Sequence, residues 1–188
     1  MRELSLNILD IVENSVSAEA SLVSIELTED SCLNTLSVTV IDNGKGMTEE
    51  ELLKAKDPFY TSGSIRRVGM GIPLFKMAAE QTGGTFSIHS VDGKGTLINA
   101  IFKTDSLNFK PVGDLHATVS ALVSANPHVD FVLKYSVDGN EFVFDTREIK
   151  QKAEEFPVSS PVIVKWIRNY IEQNVKNLYG GVTDNENT

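Results

Sequence analysis

Four short clusters hold the residues from which this chain could build chemistry. Asp10 and Asn14 stand four positions apart, the spacing that puts two side chains on one face of a helix and lets them address one ligand. The amide oxygen of an asparagine is a hard ligand suited to Mg2+, which takes few protein ligands and keeps its other positions for water and phosphate oxygens. A carboxylate such as Asp10 can take a proton from water or from a hydroxyl. In the second cluster, Asp42-Asn43-Gly44-Lys45-Gly46-Met47, Gly44 and Gly46 lack a Cβ, so the backbone can turn sharply and approach a flat ring. Gly69, Met70 and Gly71 form the third, where a loop becomes a helix; such a start presents unpaired N–H groups and the positive end of the helix dipole, which suit phosphates. Gly95-Thr96 is the fourth. Each cluster taken alone has a plainer reading: a solvated helix stripe, a hairpin turn, a glycine before a helix.

The elements that must position these residues follow from periodicity. Over residues 3–17, Leu4, Ile8, Ile11, Val12 and Val16 share one helix side and Asn7, Asp10, Asn14 and Ser17 form a polar stripe on the other. Val23, Ile25 and Leu27, then Leu36, Val38 and Val40, alternate with polar residues on either side of a turn-like stretch, which predicts two antiparallel strands. Thr48 with Glu51 three residues on is a capping box and predicts a short helix. Residues 57–68, with Pro, Gly and Ser, read as a mobile loop. A helix from Ile72 to Gly83-Gly84 and a hairpin around Asp92-Gly93-Lys94-Gly95 follow. The polar segment before Gly113 reads as a linker, so the expected organisation is a first domain over 1–104, a linker over 105–113, a small α+β domain over 114–179, and a disordered tail over 180–188. In that second domain a helix at 114–125, a hairpin, and helices near 146–155 and 160–178 are predicted, with Ile163, Trp166, Ile167, Tyr170 and Ile171 at helical spacing.

Taken in order, DIVENS on a helix, DNGKGM ending a strand, GMGI opening a helix and GT in the next hairpin resemble the ATP-binding domain shared by gyrase, Hsp90, histidine kinases and MutL, the GHKL or Bergerat fold, over residues 1–104. The resemblance implies a two-layer α/β sandwich with a mixed, largely antiparallel sheet, here followed by the small α+β domain. It implies Mg-ATP as ligand, with Asn14 holding Mg2+ and with Gly69, Met70 and Gly71 holding phosphates. It also implies that Asp42 accepts a hydrogen bond from the adenine amine, which selects adenine over guanine, whose equivalent group is a carbonyl. Met47 is expected on the purine ring and Thr96 near adenine beside Asp42. Residues 57–68 resemble the ATP lid of histidine kinases, including its Pro58-Phe59 pair, with Arg66 and Arg67 within reach of phosphate oxygens. Asp10 stands where gyrase-like, MutL-like and serine-kinase anti-sigma members use a Glu as general base and histidine kinases usually have Asn. It is one methylene shorter than Glu; Glu13, just before Asn14, is the neighbouring acid but points about 100° away from Asn14 around the helix.

With 17 basic and 26 acidic residues in 188, the net charge of −9 excludes the basic stripe that nucleic acid would need. The single cysteine, Cys32, permits no internal disulfide, and the three histidines, His89, His116 and His128, lack metal-ligand spacing. No apolar run reaches the ~20 residues of a membrane span, which points to a cytoplasmic protein. Met1 stands nine residues ahead of Asp10, which leaves no room for a phosphoacceptor helix, and 114–188 is short for the second domain of gyrase or MutL. A sensor kinase that phosphorylates itself and a topoisomerase are therefore both disfavoured. The early start also predicts a bare sheet edge, hence a homodimer or a docked protein partner. Two functions remain open: an ATPase or anti-sigma-like protein serine kinase that regulates a partner, and a catalytically silent ATP-gated interaction module.

Overall fold

A computed structural model describes residues 3–55, 70–152 and 157–180. In chain order the elements are α1 (Leu4–Ser17), β1 (Leu22–Asp30), β2 (Thr35–Asp42), α2 (Glu49–Ala55), α3 (Gly71–Gln81), β3 (Thr85–Val91), β4 (Gly95–Lys103), α4 (Leu115–Ala125), β5 (Asp130–Val137), β6 (Asn140–Asp145), α5 (Thr146–Lys152) and α6 (Pro161–Leu178). The predicted capping box forms at α2, where Glu51 accepts from the Thr48 amide at 2.9 Å while Thr48 Oγ1 accepts from the Glu51 amide at 3.3 Å.

The strands form one sheet in the order β3-β4-β2-β1-β5-β6. Neighbours run antiparallel except β1 and β5, which pair in parallel. Alternation decides which side faces the helices. Val23, Ile25, Leu27, Leu36, Val38, Val40, Ala100, Phe102, Phe131 and Leu133 are all buried. Against them lie Ile8, Ile11 and Val12 of α1, Phe75 and Ala79 of α3, Val119 and Leu122 of α4, and Ile167 and Ile171 of α6, in one cluster. The other face is mixed, and at its centre Asn99 donates to Ser37 Oγ at 3.0 Å and to Thr39 Oγ1 at 2.8 Å.

Two expectations meet this sheet. The boundary placed at 105–113 does not divide it, because β5 pairs with β1 over Leu22–Glu29 and its apolar residues join the same buried cluster. A connector rich in Pro and Gly reads alike whether it leads to a new domain or to another strand of the same sheet. On the expectation of a bare sheet edge, β1 is flanked on both sides, by β2 and β5, and the outermost strands of the sheet are β3 and β6. The connector is also built into α1. Glu3 provides no side-chain cap, and the amides of Leu4 and Ser5 instead donate to the carbonyls of Pro111 at 3.0 Å and Val112 at 2.8 Å. Among the described residues no helix is long and apolar enough to cross a membrane. The expected loop at 57–68 and all but the first residue of the expected tail lie outside the described residues.

Candidate functional site

Helix α3 begins directly on the polar stripe of α1. A Cβ placed on Gly71 would lie 3.0 Å from Asp10 Cβ and 3.5 Å from Asn14 Nδ2, so the start of α3 packs closely on these two side chains, and a larger residue at 71 would press on Asp10. No side chain caps this start, Met70 being the N-cap residue, and the first turn holds Pro73, which has no N–H. The start of α3, whose first amides have no partner within the helix and which carries the positive end of its dipole, therefore lies beside Asp10 and Asn14. Asp10 is half-buried, and burial raises the pKa of its carboxyl above the ordinary value, which makes it a better proton acceptor once ionised.

Asp42 ends β2 next to the same helix. Its Oδ2 accepts from Ser15 Oγ at 2.7 Å, and its Oδ1 accepts from the amides of Gly44 at 2.9 Å and Thr96 at 3.2 Å. An ionised carboxylate has about four acceptor positions, so these three donors orient the group and leave room for one more. Thr96 lies opposite Asp42 in the β2–β4 register, and its Oγ1 shares a hydrogen bond of 2.8 Å with Ser90 Oγ. The loop after Asp42 is tied down at both ends. Asn43 Oδ1 accepts from the amides of Ser21 and Leu22, both at 2.9 Å, and the Lys45 amide donates to Ala18 O at 2.9 Å.

Two glycines permit this packing. Gly46 has φ +66°, and a Cβ there would fall 2.0 Å from Val91 O; Gly95 has φ +113°, and a Cβ there would fall 2.0 Å from Asp42 O. Met47 is half-buried against the core and Met70 is exposed. Asp10, Asn14 and Gly71 thus come together, as do Asp42, Gly44 and Thr96, and the adjacent positions Asn14 and Ser15 on α1 join the two groups. Pro58, Phe59, Arg66, Arg67 and Gly69 lie outside the described residues. Ser15 is the residue that sequence reasoning passed over. Its signal in the sequence was a hydroxyl on the helix side otherwise occupied by Ile8, Ile11 and Val12, and the structure buries it almost fully.

A Rickettsia felis protein named as an NtrY-like sensor histidine kinase is 30% identical over 110 residues, which cover 58% of this chain and 18% of that protein. The sensor histidine kinase YvrG of Bacillus subtilis is 29% identical over 98 residues, covering 50% of this chain and 17% of that protein. The chain thus spans less than a fifth of the length of these relatives. Among solved structures, the N-terminal domain of a DNA repair protein superposes with a TM-score of 0.55 at 13% identity, over 76% of this chain and 52% of that one, a likeness of fold. The model of the histidine kinase-, DNA gyrase B- and HSP90-like ATPases matches residues 1–106, more than half of the chain and the part that holds Asp10, Asn14, Asp42, Gly71 and Thr96, and the chain belongs to that family.

Proposed function

We propose that this chain binds ATP with Mg2+ between α1, the start of α3 and the Asp42 loop, and uses it to act on water or on the serine hydroxyl of a protein that it regulates. The observation that supports this reading best is the seating of Gly71 against Asp10 and Asn14, because it gathers a helix start, an amide and a carboxylate around one space. In this reading Asp42 receives the adenine amine at its remaining acceptor position, and Ser15, Gly44 and Thr96 fix the direction of that bond. The amides of Gly71 and Ile72 receive phosphate oxygens. Asn14 suits Mg2+, since its amide oxygen is a hard donor beside the phosphate end of the site. When bound, that ion neutralises charge on the phosphate oxygens.

Asp10 takes the proton from the attacking O–H as its oxygen bonds to the terminal phosphorus and the bond to the bridging oxygen breaks, releasing ADP. The product is inorganic phosphate when water attacks and a phosphoserine when a partner attacks. A second reading, an ATP-gated interaction module without chemistry, is favoured by the short side chain of Asp10, whose carboxyl reaches one methylene less far than that of Glu. Phosphate release by the wild type and by Asp10→Asn separates the two. Release above background in the wild type that vanishes in the variant supports hydrolysis, and equal background rates remove it. Incubation of labelled ATP with candidate partner proteins tests transfer, and labelled serine is the expected product.

A further inference from the structure

At the other end of the sheet from Asp42, about 23 Å along β2 by strand rise, a cavity of about 440 Å³ opens in the helix layer. It lies over the end of β1, between the 104–113 connector and the last turns of α6, and its volume falls in the range of small-molecule sites. Phe109, Val112, Leu115, Ile171 and Val175 make its wall largely apolar. At its inner end stands Glu29, on the side of β1 that faces the helices.

Glu29 has an unusual set of partners. Its Oε1 accepts from Tyr135 Oη at 2.5 Å and from Tyr179 Oη, and the two phenol oxygens lie 2.9 Å apart. Tyr135 is buried at 2% exposure, so the carboxylate sits at the edge of the core rather than in open water. Among the described residues no hydrogen bond reaches Oε2 and no basic side chain pairs with Glu29 or with its neighbour Asp30. The basic groups lining the cavity are already engaged, Lys176 with Glu172 at 2.7 Å and His116 with Asp114 at 2.9 Å. The cavity therefore has an apolar wall that ends in a carboxylate held by two phenols, with one oxygen open and no counter-charge. Partly buried charge of this kind is stabilised by an opposite charge placed on it.

We propose that this cavity binds a small organic cation, a protonated primary amine that sets its ammonium on Glu29 Oε2 and lays an apolar body of about one aromatic ring against Val112, Leu115, Ile171 and Val175. A bare metal ion fits less well, because among the described residues no group of three or more His, Cys, Asp or Glu gathers there and the wall gives such an ion nothing to touch. The site is separate from the nucleotide site, and the proposal does not depend on the function assigned to that site.

Calorimetric titration of the full chain with phenethylammonium, phenethyl alcohol and phenylacetate, each up to about 10 mM, tests it. A hydrogen bond to a charged group predicts that the ammonium binds at least about tenfold more tightly than the alcohol, with the carboxylate weakest. Glu29→Gln keeps an acceptor for both phenols and should bring ammonium and alcohol to within about twofold of each other. Val175→Trp, which fills the cavity, should abolish binding of all three. Alcohol or phenylacetate binding as tightly as the ammonium, no heat from any probe, or a preference that survives Glu29→Gln would each overturn the proposal. The comparison of probes on the wild type decides it even where a variant does not fold.

Discussion

Replacing Asp42 by Asn changes one atom at the point where the purine is read. In the wild type, Oδ1 takes the amides of Gly44 and Thr96 and Oδ2 takes the Ser15 hydroxyl, with one acceptor position left over. Asn retains a carbonyl oxygen for Gly44 and Thr96, and its new NH2 can donate to Ser15 Oγ once that hydroxyl rotates. The fold should therefore be little affected, with a melting temperature within about 3 °C of wild type. Nucleotide binding should suffer much more, since the adenine amine now meets a donor where it met a charged acceptor. Loss of a hydrogen bond to a charged group is worth about 1.5–3 kcal/mol, or roughly a 10- to 150-fold rise in Kd for ATP. The wild type should prefer ATP to GTP by a similar factor, and the variant should lose most of that preference. Calorimetry of both proteins with ATP and GTP in magnesium buffer, beside thermal melts, measures all of this. An ATP affinity unchanged within about twofold in a folded Asp42→Asn protein, or equal wild-type affinity for the two nucleotides, refutes the reasoning.

The remaining predictions concern stability and pH. Burial holds the Asp10 carboxyl above its ordinary pKa, so the folded chain keeps this proton to higher pH than the unfolded chain does. Its contribution to stability is therefore lost as pH rises from the ordinary carboxylate range through the raised folded value. Asp10→Asn should accordingly melt higher than wild type at pH 7, with a flatter dependence on pH in that window, even as any phosphate release disappears. Gly95→Ala joins a φ of +113° to a Cβ 2.0 Å from Asp42 O, and should cost about 3 kcal/mol or more, a fall of roughly 6–12 °C in Tm. Phe102→Ala empties a fully buried site 5.6 Å from the Phe75 ring and should cost about 3–5 kcal/mol in urea unfolding. A chain ended at residue 106, the limit of the family match, loses β5 from the edge of β1 together with Val119, Leu122, Phe131 and Ile167 from the core. It should aggregate or show no cooperative melt, and a soluble fragment with a sharp transition would mean that the first 106 residues fold alone.

Local pattern alone determined a good deal of this protein. The apolar stripe of α1, the alternation in β1 and β2 and the Thr48–Glu51 cap were legible because each depends on neighbours within a few residues, and so was the order of the motifs that names the family. The tertiary structure decided what depends on distant partners. That β5 pairs with β1, across more than 100 residues of sequence, is settled by which strand satisfies an edge and buries Phe131 and Leu133, and no property of residues 105–113 records it. The role of Ser15 emerges only when β2 brings Asp42 beside α1, and the role of Gly71 only when α3 lands on Asp10 and Asn14. The Glu29, Tyr135 and Tyr179 cluster joins three separate elements and has no trace in spacing at all. Periodicity reports which face of an element is buried, whereas a site is made of contacts between faces, and those exist only once the chain has closed on itself.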